Sequence, residues 1–246
     1  MDKIIGLIPA AGKGLRLNIP FPKELYPIIR DNKYKPVAQY ILENMLYVGV
    51  NHIVFVINDE KSQLIKYFGS GKRFGCNISY VVQEDLPDSN YKSTSPGLAS
   101  AIDAAYHLTS GKRVVFGMAD TIISPIDIFA DIMTVPGDEY YVSMGLFKTD
   151  HPEKFGMVEL KNIEVVNVVD KPKVTKLEYV WGFMYWHQRF TELIHTCVKN
   201  GIFDFANIIN IAASKERYSV IANIILNCEY HDLGTFEEIS NLNSEV

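Results

Sequence analysis

Residues 8 to 28 read IPAAGKGLRLNIPFPKELYPI, joining the end of an apolar strand to a turn of small residues and then to a run of cations. Lys3 to Pro9 (KIIGLIP) is a short, largely β-branched segment. Ala10, Ala11, Gly12 and Gly14 are small enough for a ligand to rest on main-chain N–H groups. Lys13, Arg16 and Lys23 add three positive charges nearby. A di- or triphosphate requires them, because amide dipoles alone do not neutralise several adjacent negative charges. A phosphate chain is therefore the expected cargo. A dinucleotide fingerprint would need a third glycine where Leu17 stands, and a Walker loop would need Lys followed by Ser or Thr where Leu15 and Arg16 stand. Neither fits.

Outward from this loop, Pro36 to Val48 reads as a helix with Pro at its first position, and His52 to Ile57 (HIVFVI) as a buried strand. A helix from Glu60 to Tyr67 capped by Asn58 or Asp59, a strand Ile78 to Val82, a helix Gly97 to Leu108 and a strand Arg113 to Met118 follow. Strands alternating with helices predict an α/β fold with a mostly parallel central sheet and helices on both faces. Ligands of such sheets bind beyond the carboxyl ends of the strands, so the glycine loop, Gln83, Pro96 to Leu98 and Asp120 share one rim. From Tyr140 onward strands dominate (Tyr140 to Phe147, Gly156 to Leu160, Val165 to Val169, Tyr179 to Trp186) and form a strand-rich lobe grafted onto that sheet. The expectation is one domain, 1–246, with a 1–135 half and a 136–246 half.

The 246 residues suffice to bury a core. A net charge of -5 excludes a general nucleic-acid surface, so any phosphate site is a local cationic cluster. No apolar run has the length of a membrane span and no export signal opens the chain, which predicts a cytoplasmic protein with no membrane contact. Cys76, Cys197 and Cys228 are odd in number and far apart, and read as reduced thiols. The aromatic run Tyr179 to Trp186 reads as exposed, serving a ligand pocket or a homo-oligomer contact.

Two carboxylates stand out. Asp120 ends the strand in FGMADTII, and Asp232 in YHDLGT follows the final strand and precedes a turn that opens a helix. Together they can complete one Mg2+ site whose remaining positions are filled by water and phosphate oxygens.

The pattern Gly12-Lys13-Gly14-Leu15-Arg16, Pro22-Lys23-Glu24-Leu25 and Pro27-Ile28 resembles the signature of the sugar-1-phosphate nucleotidyltransferases. The closest branch is that of the glucose-1-phosphate thymidylyltransferases and their uridylyl relatives. The resemblance implies a Rossmann-like nucleotidyltransferase fold whose later half is a sugar-side lobe, and a cytoplasmic enzyme of nucleotide-sugar biosynthesis. Its substrates are a nucleoside triphosphate, dTTP or UTP favoured, and a sugar 1-phosphate. It implies magnesium on Asp120 and Asp232, and nucleotide contacts from Ala10, Ala11, Gly12, Lys13 and Gly14, with Gln83, Gly97 and Leu98 reading a pyrimidine base. Arg16 then holds the departing pyrophosphate, Lys23 the bridging charge, and Lys171 in VVDKP the phosphate of the incoming sugar. Phe155, Gly156, Asp170 and Gly182 fall on sugar-contacting positions. The chain departs from the pattern at Leu15, where a hydroxyl is usual, at Asp170, where Glu is usual, at Asn200, near a usual Arg, and in a long loop from Asp85 to Ser95. A cytidylyltransferase acting on another phosphorylated metabolite, and a non-catalytic nucleotide-sugar-binding protein, stay open.

Overall fold

The computed structural model describes residues 4–14, 17, 19–30, 33–84, 97–133 and 139–244. In chain order the first half holds β1 (Ile4–Pro9), β2 (Pro27–Arg30), β3 (Lys33–Pro36), α1 (Val37–Tyr47), β4 (His52–Ile57), α2 (Ser62–Phe68) and β5 (Asn77–Val82). It continues with α3 (Gly97–Ala104), α4 (Tyr106–Thr109), β6 (Arg113–Gly117), β7 (Thr121–Ser124) and α5 (Ala130–Met133). The second half holds β8 (Tyr141–Lys148), β9 (Gly156–Lys161), β10 (Glu164–Asp170), β11 (Tyr179–Trp186), α6 (Gln188–Lys199), α7 (Phe205–Ala213), β12 (Ser219–Ile224), β13 (Glu229–Asp232) and α8 (Phe236–Ser244).

Among the described residues one nine-stranded sheet runs in the order β5-β4-β1-β6-β11-β8-β12-β10-β9. The expectation of a mostly parallel sheet needs correction: the sheet is mixed. The pairs β5–β4, β4–β1, β1–β6 and β8–β12 are parallel. The pairs β6–β11, β11–β8, β12–β10 and β10–β9 are antiparallel. The reason lies in the connections. In the first half helical crossovers return each strand in the same direction, whereas only Asn162 and Ile163 separate β9 from β10, and so short a link forces a hairpin. Strands of the second half continue the same sheet, with β11 wedged between β6 and β8. That position also corrects the reading of Tyr179 to Trp186 as exposed, since Val180 and every residue from Gly182 to Trp186 is buried.

Both faces of the sheet are covered, and β4 shows how: Val54 and Val56 join the cluster under α3, α6 and α7, while Ile53, Phe55 and Ile57 join the one under α1 and α2. This is the continuous apolar strand expected of a doubly covered sheet. Helix α1 approaches closely because Gly6 and Gly117 lie beneath it, where an added Cβ would stand 2.9 Å from Met45 Sδ and 2.5 Å from Ile41 Cδ1 respectively. Buried Asn44 of α1 donates to the carbonyls of Ile123, Pro125 and Ile126 at 3.2–3.3 Å, fixing the chain after β7. No helix among the described residues is long and apolar enough to cross a membrane.

Strand β1 lies between β4 and β6, and the chain builds outward from it first to one side and then to the other. Its carboxyl end is therefore the switch point of the parallel part, where open α/β sheets leave a crevice. The glycine loop starts there.

Candidate active site

The loop after β1 is anchored at its base. Ala10 N–H donates to the Val56 carbonyl at 2.7 Å, and the buried Asn58 Nδ2 donates to the Ala11 carbonyl at 2.9 Å. Asn58 is one of the two residues, with Asp59, expected to cap the following helix; its side chain makes no capping bond and is spent on the loop instead. Gly14 sits at φ +63°, a left-handed conformation that favours glycine, and its carbonyl accepts from Leu17 N–H at 3.2 Å.

A 3-10 turn, Lys23–Leu25, sends Lys23 and Glu24 to different partners. Lys23 donates to Asp120 across the end of β6. Burial opposes the Lys23 charge, but the carboxylates of Asp120, Glu24 and Asp232 outweigh it and raise the ammonium above its ordinary value. Glu24, 1% exposed, accepts from Lys61, 5% exposed, at 2.6 Å. Burial pushes the Glu24 carboxyl up against the pull of Lys61 and Lys23, and pushes the Lys61 ammonium down against the pull of Glu24.

Asp120 and Asp232 are brought side by side by a small second sheet. Strand β13 runs antiparallel to β7 with Asp232 opposite Thr121, and the Leu233 N–H donates to the Asp120 carbonyl at 2.9 Å. Behind them lies Tyr230, stacked on Phe147 with ring centroids 4.5 Å apart. Burial, reinforced by Asp232 and Asp120, holds its phenol well above the ordinary value.

Two cavities meet at this point. A smaller one of about 210 Å³ is lined by Ala10, Ala11, Gly12, Lys23, Glu24, Gln83, Gly97, Leu98 and Asp120 among others. A larger one of about 490 Å³ is lined by Lys154, Phe155, Gly156, Lys171, Trp181, Tyr230, Asp232 and Glu238 among others. Leu98, Met118 and Asp120 belong to both. At the far end of the smaller cavity the buried Gln83 donates weakly to the Gly97 carbonyl at 3.4 Å, and Gly97 adopts φ +84° as it opens α3. In the larger cavity Lys171 takes φ +45°, an uncommon value for a side-chain-bearing residue, and its N–H is held by the Phe155 carbonyl at 2.9 Å. Across the cavity α8 starts with a reciprocal cap: Thr235 N–H donates to Glu238 at 2.9 Å and Glu238 N–H returns to Thr235 Oγ1 at 3.3 Å.

Of the residues singled out by sequence, Ala10, Ala11, Gly12, Lys23, Gln83, Gly97, Leu98, Asp120, Phe155, Gly156, Lys171 and Asp232 line the joined cavities. Lys13 and Gly14 lie beside the lining without forming it. Asp170, the exposed end of β10 opposite Gly156, and buried Gly182 are not lining residues. Gly182 serves packing, since a Cβ there would stand 2.5 Å from both Phe147 and Tyr230. Arg16, Leu15, Pro96 and the loop 85–95 lie outside the described residues. Asn200 closes α6 by donating to Thr196 O at 2.8 Å and lies off the cavities. Sequence reading missed Asn58, Lys61, Tyr230, Lys154 and Glu238. For Glu238 a signal was present, the Thr-x-x-Glu spacing of a capping box.

The family model described as nucleotidyl transferase matches residues 5–246. The glucose-1-phosphate thymidylyltransferase of Mycolicibacterium smegmatis is 23% identical over 245 residues, covering 95% of this chain and 79% of its own length. A Methanocaldococcus jannaschii protein provisionally named a UTP–glucose-1-phosphate uridylyltransferase is 24% identical, covering 93% of this chain and 87% of its own length. Among solved structures, a Bacillus anthracis protein provisionally named a glucose-1-phosphate thymidylyltransferase, crystallised with sucrose, superposes with a TM-score of 0.83 at 22% identity, covering 98% of this chain and 94% of that one.

Proposed function

The chain belongs to the nucleotidyl transferase family, and on that premise we propose that it joins a nucleoside triphosphate to a sugar 1-phosphate, giving a nucleoside diphosphate sugar and pyrophosphate. dTTP and UTP are the favoured nucleotides, in keeping with the thymidylyl and uridylyl names of its relatives. The observation that carries the reading is the pair of cavities sharing Asp120, one floored by the glycine loop and one walled by Lys171, Gly156 and Trp181. Such a layout presents a nucleotide and an acceptor to each other at a carboxylate pair.

In the proposed reaction a phosphate oxygen of the acceptor bonds to the α-phosphorus while the bond from that phosphorus to the bridging oxygen breaks. The electron pair leaves with pyrophosphate. The attacking phosphate is already anionic near neutral pH, so no general base is needed and catalysis rests on positioning and charge neutralisation. Lys171 holds the acceptor phosphate. Lys23, kept cationic by its neighbours, neutralises bridging charge, and Arg16 with the Gly12 to Gly14 amides takes the pyrophosphate. Gln83 offers an amide to the pyrimidine edge beside the Gly97 backbone. Phe155 and Gly156 border the sugar, with Asp170 and Gly182 behind them on their strands.

Magnesium belongs to the same proposal. Two carboxylates held together by backbone pairing are a hard-oxygen donor set that fits an ion which usually keeps several waters and takes the rest of its ligands from phosphates. Bound by Asp120 and Asp232 it would supply charge neutralisation at the α-phosphate. A cytoplasmic setting accords with Cys76, Cys197 and Cys228 all being free thiols.

The test is mass-spectrometric detection of the nucleoside diphosphate sugar after incubation with glucose 1-phosphate, magnesium and either UTP or dTTP. Product formed by the wild type and lost in Lys171→Met supports the reading; binding of nucleotide without product from any sugar 1-phosphate overturns it.

A further inference from the structure

The Glu24–Lys61 pair has no part in the reaction just described, yet it is the most enclosed ion pair among the described residues. The side chains are 2% and 6% exposed and 2.6 Å apart. Taking both charges out of water is costly, and such a pair adds little to stability compared with apolar residues of the same size, so its presence asks for another reason. Its location suggests one. Glu24 follows Lys23 in the same 3-10 turn and lines the smaller cavity with it, whereas Lys61 stands behind, on the turn that leaves β4. Three residues earlier on that turn, Asn58 holds the Ala11 carbonyl of the glycine loop.

An anion at Glu24 is out of place in a cavity meant for phosphates. Unneutralised, it would repel them and would compete with Asp120 for the Lys23 ammonium. Among the described residues the charged groups facing it are Lys61, by hydrogen bond, and Lys23, its chain neighbour, which itself holds Asp120. The charges thus alternate: Lys61 positive, Glu24 negative, Lys23 positive, Asp120 negative. Among the described residues the second Glu24 oxygen, Oε2, is buried with no hydrogen-bond partner, and Lys61 is the one counter-ion bonded to its carboxylate.

We propose that Lys61 is a positioning residue for the nucleotide site: by neutralising Glu24 from behind, it reserves the Lys23 ammonium for Asp120 and the nucleotide phosphates. The inference rests on the reading of the smaller cavity as the nucleotide site. It predicts that Glu24 becomes harmful when Lys61 loses its charge and harmless again when Glu24 is neutralised too. A role confined to holding the fold predicts instead a lowered melting temperature in Lys61→Met with the nucleotide affinity of the folded protein unchanged.

The experiment is calorimetric binding of UTP and of dTTP, independent of turnover, to the wild type, Lys61→Met, Lys61→Arg and Lys61→Met/Glu24→Gln. It is run at alkaline pH, because burial pushes the Glu24 carboxyl up and an unpaired Glu24 must be ionised to repel phosphate. Expected is a loss of about tenfold or more in affinity for Lys61→Met, the scale of a like charge set against a bound anion, with Lys61→Arg and the double variant within about threefold of wild type. Unchanged affinity in Lys61→Met, or a loss that Glu24→Gln does not relieve, overturns the inference. Should Lys61→Met fail to fold, the double variant, which buries no charge at either position, is read alone: affinity within threefold supports the inference and a tenfold loss overturns it. A wild type that binds neither nucleotide overturns the underlying site reading instead, and the two failures are thereby told apart.

Discussion

Gly156→Ala separates the two cavities in one substitution. Gly156 has no positive φ, so alanine meets no backbone strain there, and the perturbation is steric. Its new Cβ would stand 2.5 Å from Trp181 Nε1 and 3.2 Å from Cδ1, against an ordinary separation of about 3.5–4.0 Å, so about 1 Å must be absorbed. The backbone of Gly156 cannot drift, because it pairs with Asp170 on β10. The indole cannot retreat freely either, with Phe205 at 5.7 Å and Phe116 at 6.3 Å between ring centroids behind it. The remaining outlet is the larger cavity that Trp181 already lines. Overpacking of this kind costs about 1–3 kcal/mol. With about 1.4 kcal/mol corresponding to tenfold, the expected effect is a rise of about tenfold in KM for the sugar 1-phosphate. The nucleotide KM should stay within about twofold, since Gly156 and Trp181 are absent from the smaller cavity. Initial rates of pyrophosphate release with each substrate varied in turn give both constants. A matching rise in both, or a lowered melting temperature with the acceptor KM unchanged, would refute the assignment of the larger cavity to the acceptor.

Asp120→Asn removes the counter-ion of Lys23 and half of the carboxylate pair, so kcat should fall by about 10²–10³-fold, the scale of losing one preorganised electrostatic contact, while circular dichroism stays that of the wild type. Asn58→Ala leaves the Ala11 carbonyl without its 2.9 Å donor at a cost of about 1–3 kcal/mol, and should raise the nucleotide KM and lower the melting temperature together. Tyr218, whose O–H donates to the Arg189 carbonyl, is pushed by burial from an ordinary value of 10.0 to about 12. Between those values the folded state holds a proton that the unfolded state has lost, so stability declines as pH rises from 10.0 to about 12. Thermal melts of Tyr218→Phe should fall less steeply than wild type across that window; equal slopes would count against it.

What the sequence disclosed follows from which forces are local. The strands His52–Ile57 and Tyr179–Trp186 coincide with the apolar runs that marked them, because a run of buried residues carries its own boundaries. Direction and position in the sheet are not local. Nothing in YVWGFMYW reports that it lies antiparallel between β6 and β8, so the sheet was read as too parallel and the strand as too exposed. The β2–β3 hairpin and the β7–β13 pair escaped notice because strands of four residues, two of them edged by proline, show no period. At the site, the glycine loop and Asp120 were legible since strand ends and small residues announce themselves in one dimension. Glu24 and Lys61 were not, because only burial and a contact across 37 residues give them meaning.

Magnesium-dependent pyrophosphate release reads nucleotidyl transfer to a sugar 1-phosphate at the bond that breaks. Glucose 1-phosphate is supplied with dTTP, UTP, CTP, GTP and ATP in parallel, with and without chelator. The expected result is a strong signal with dTTP or UTP that chelation abolishes. Release with CTP alone would contradict the base assignment at Gln83, and silence with all five while nucleotide still binds would contradict the reaction itself.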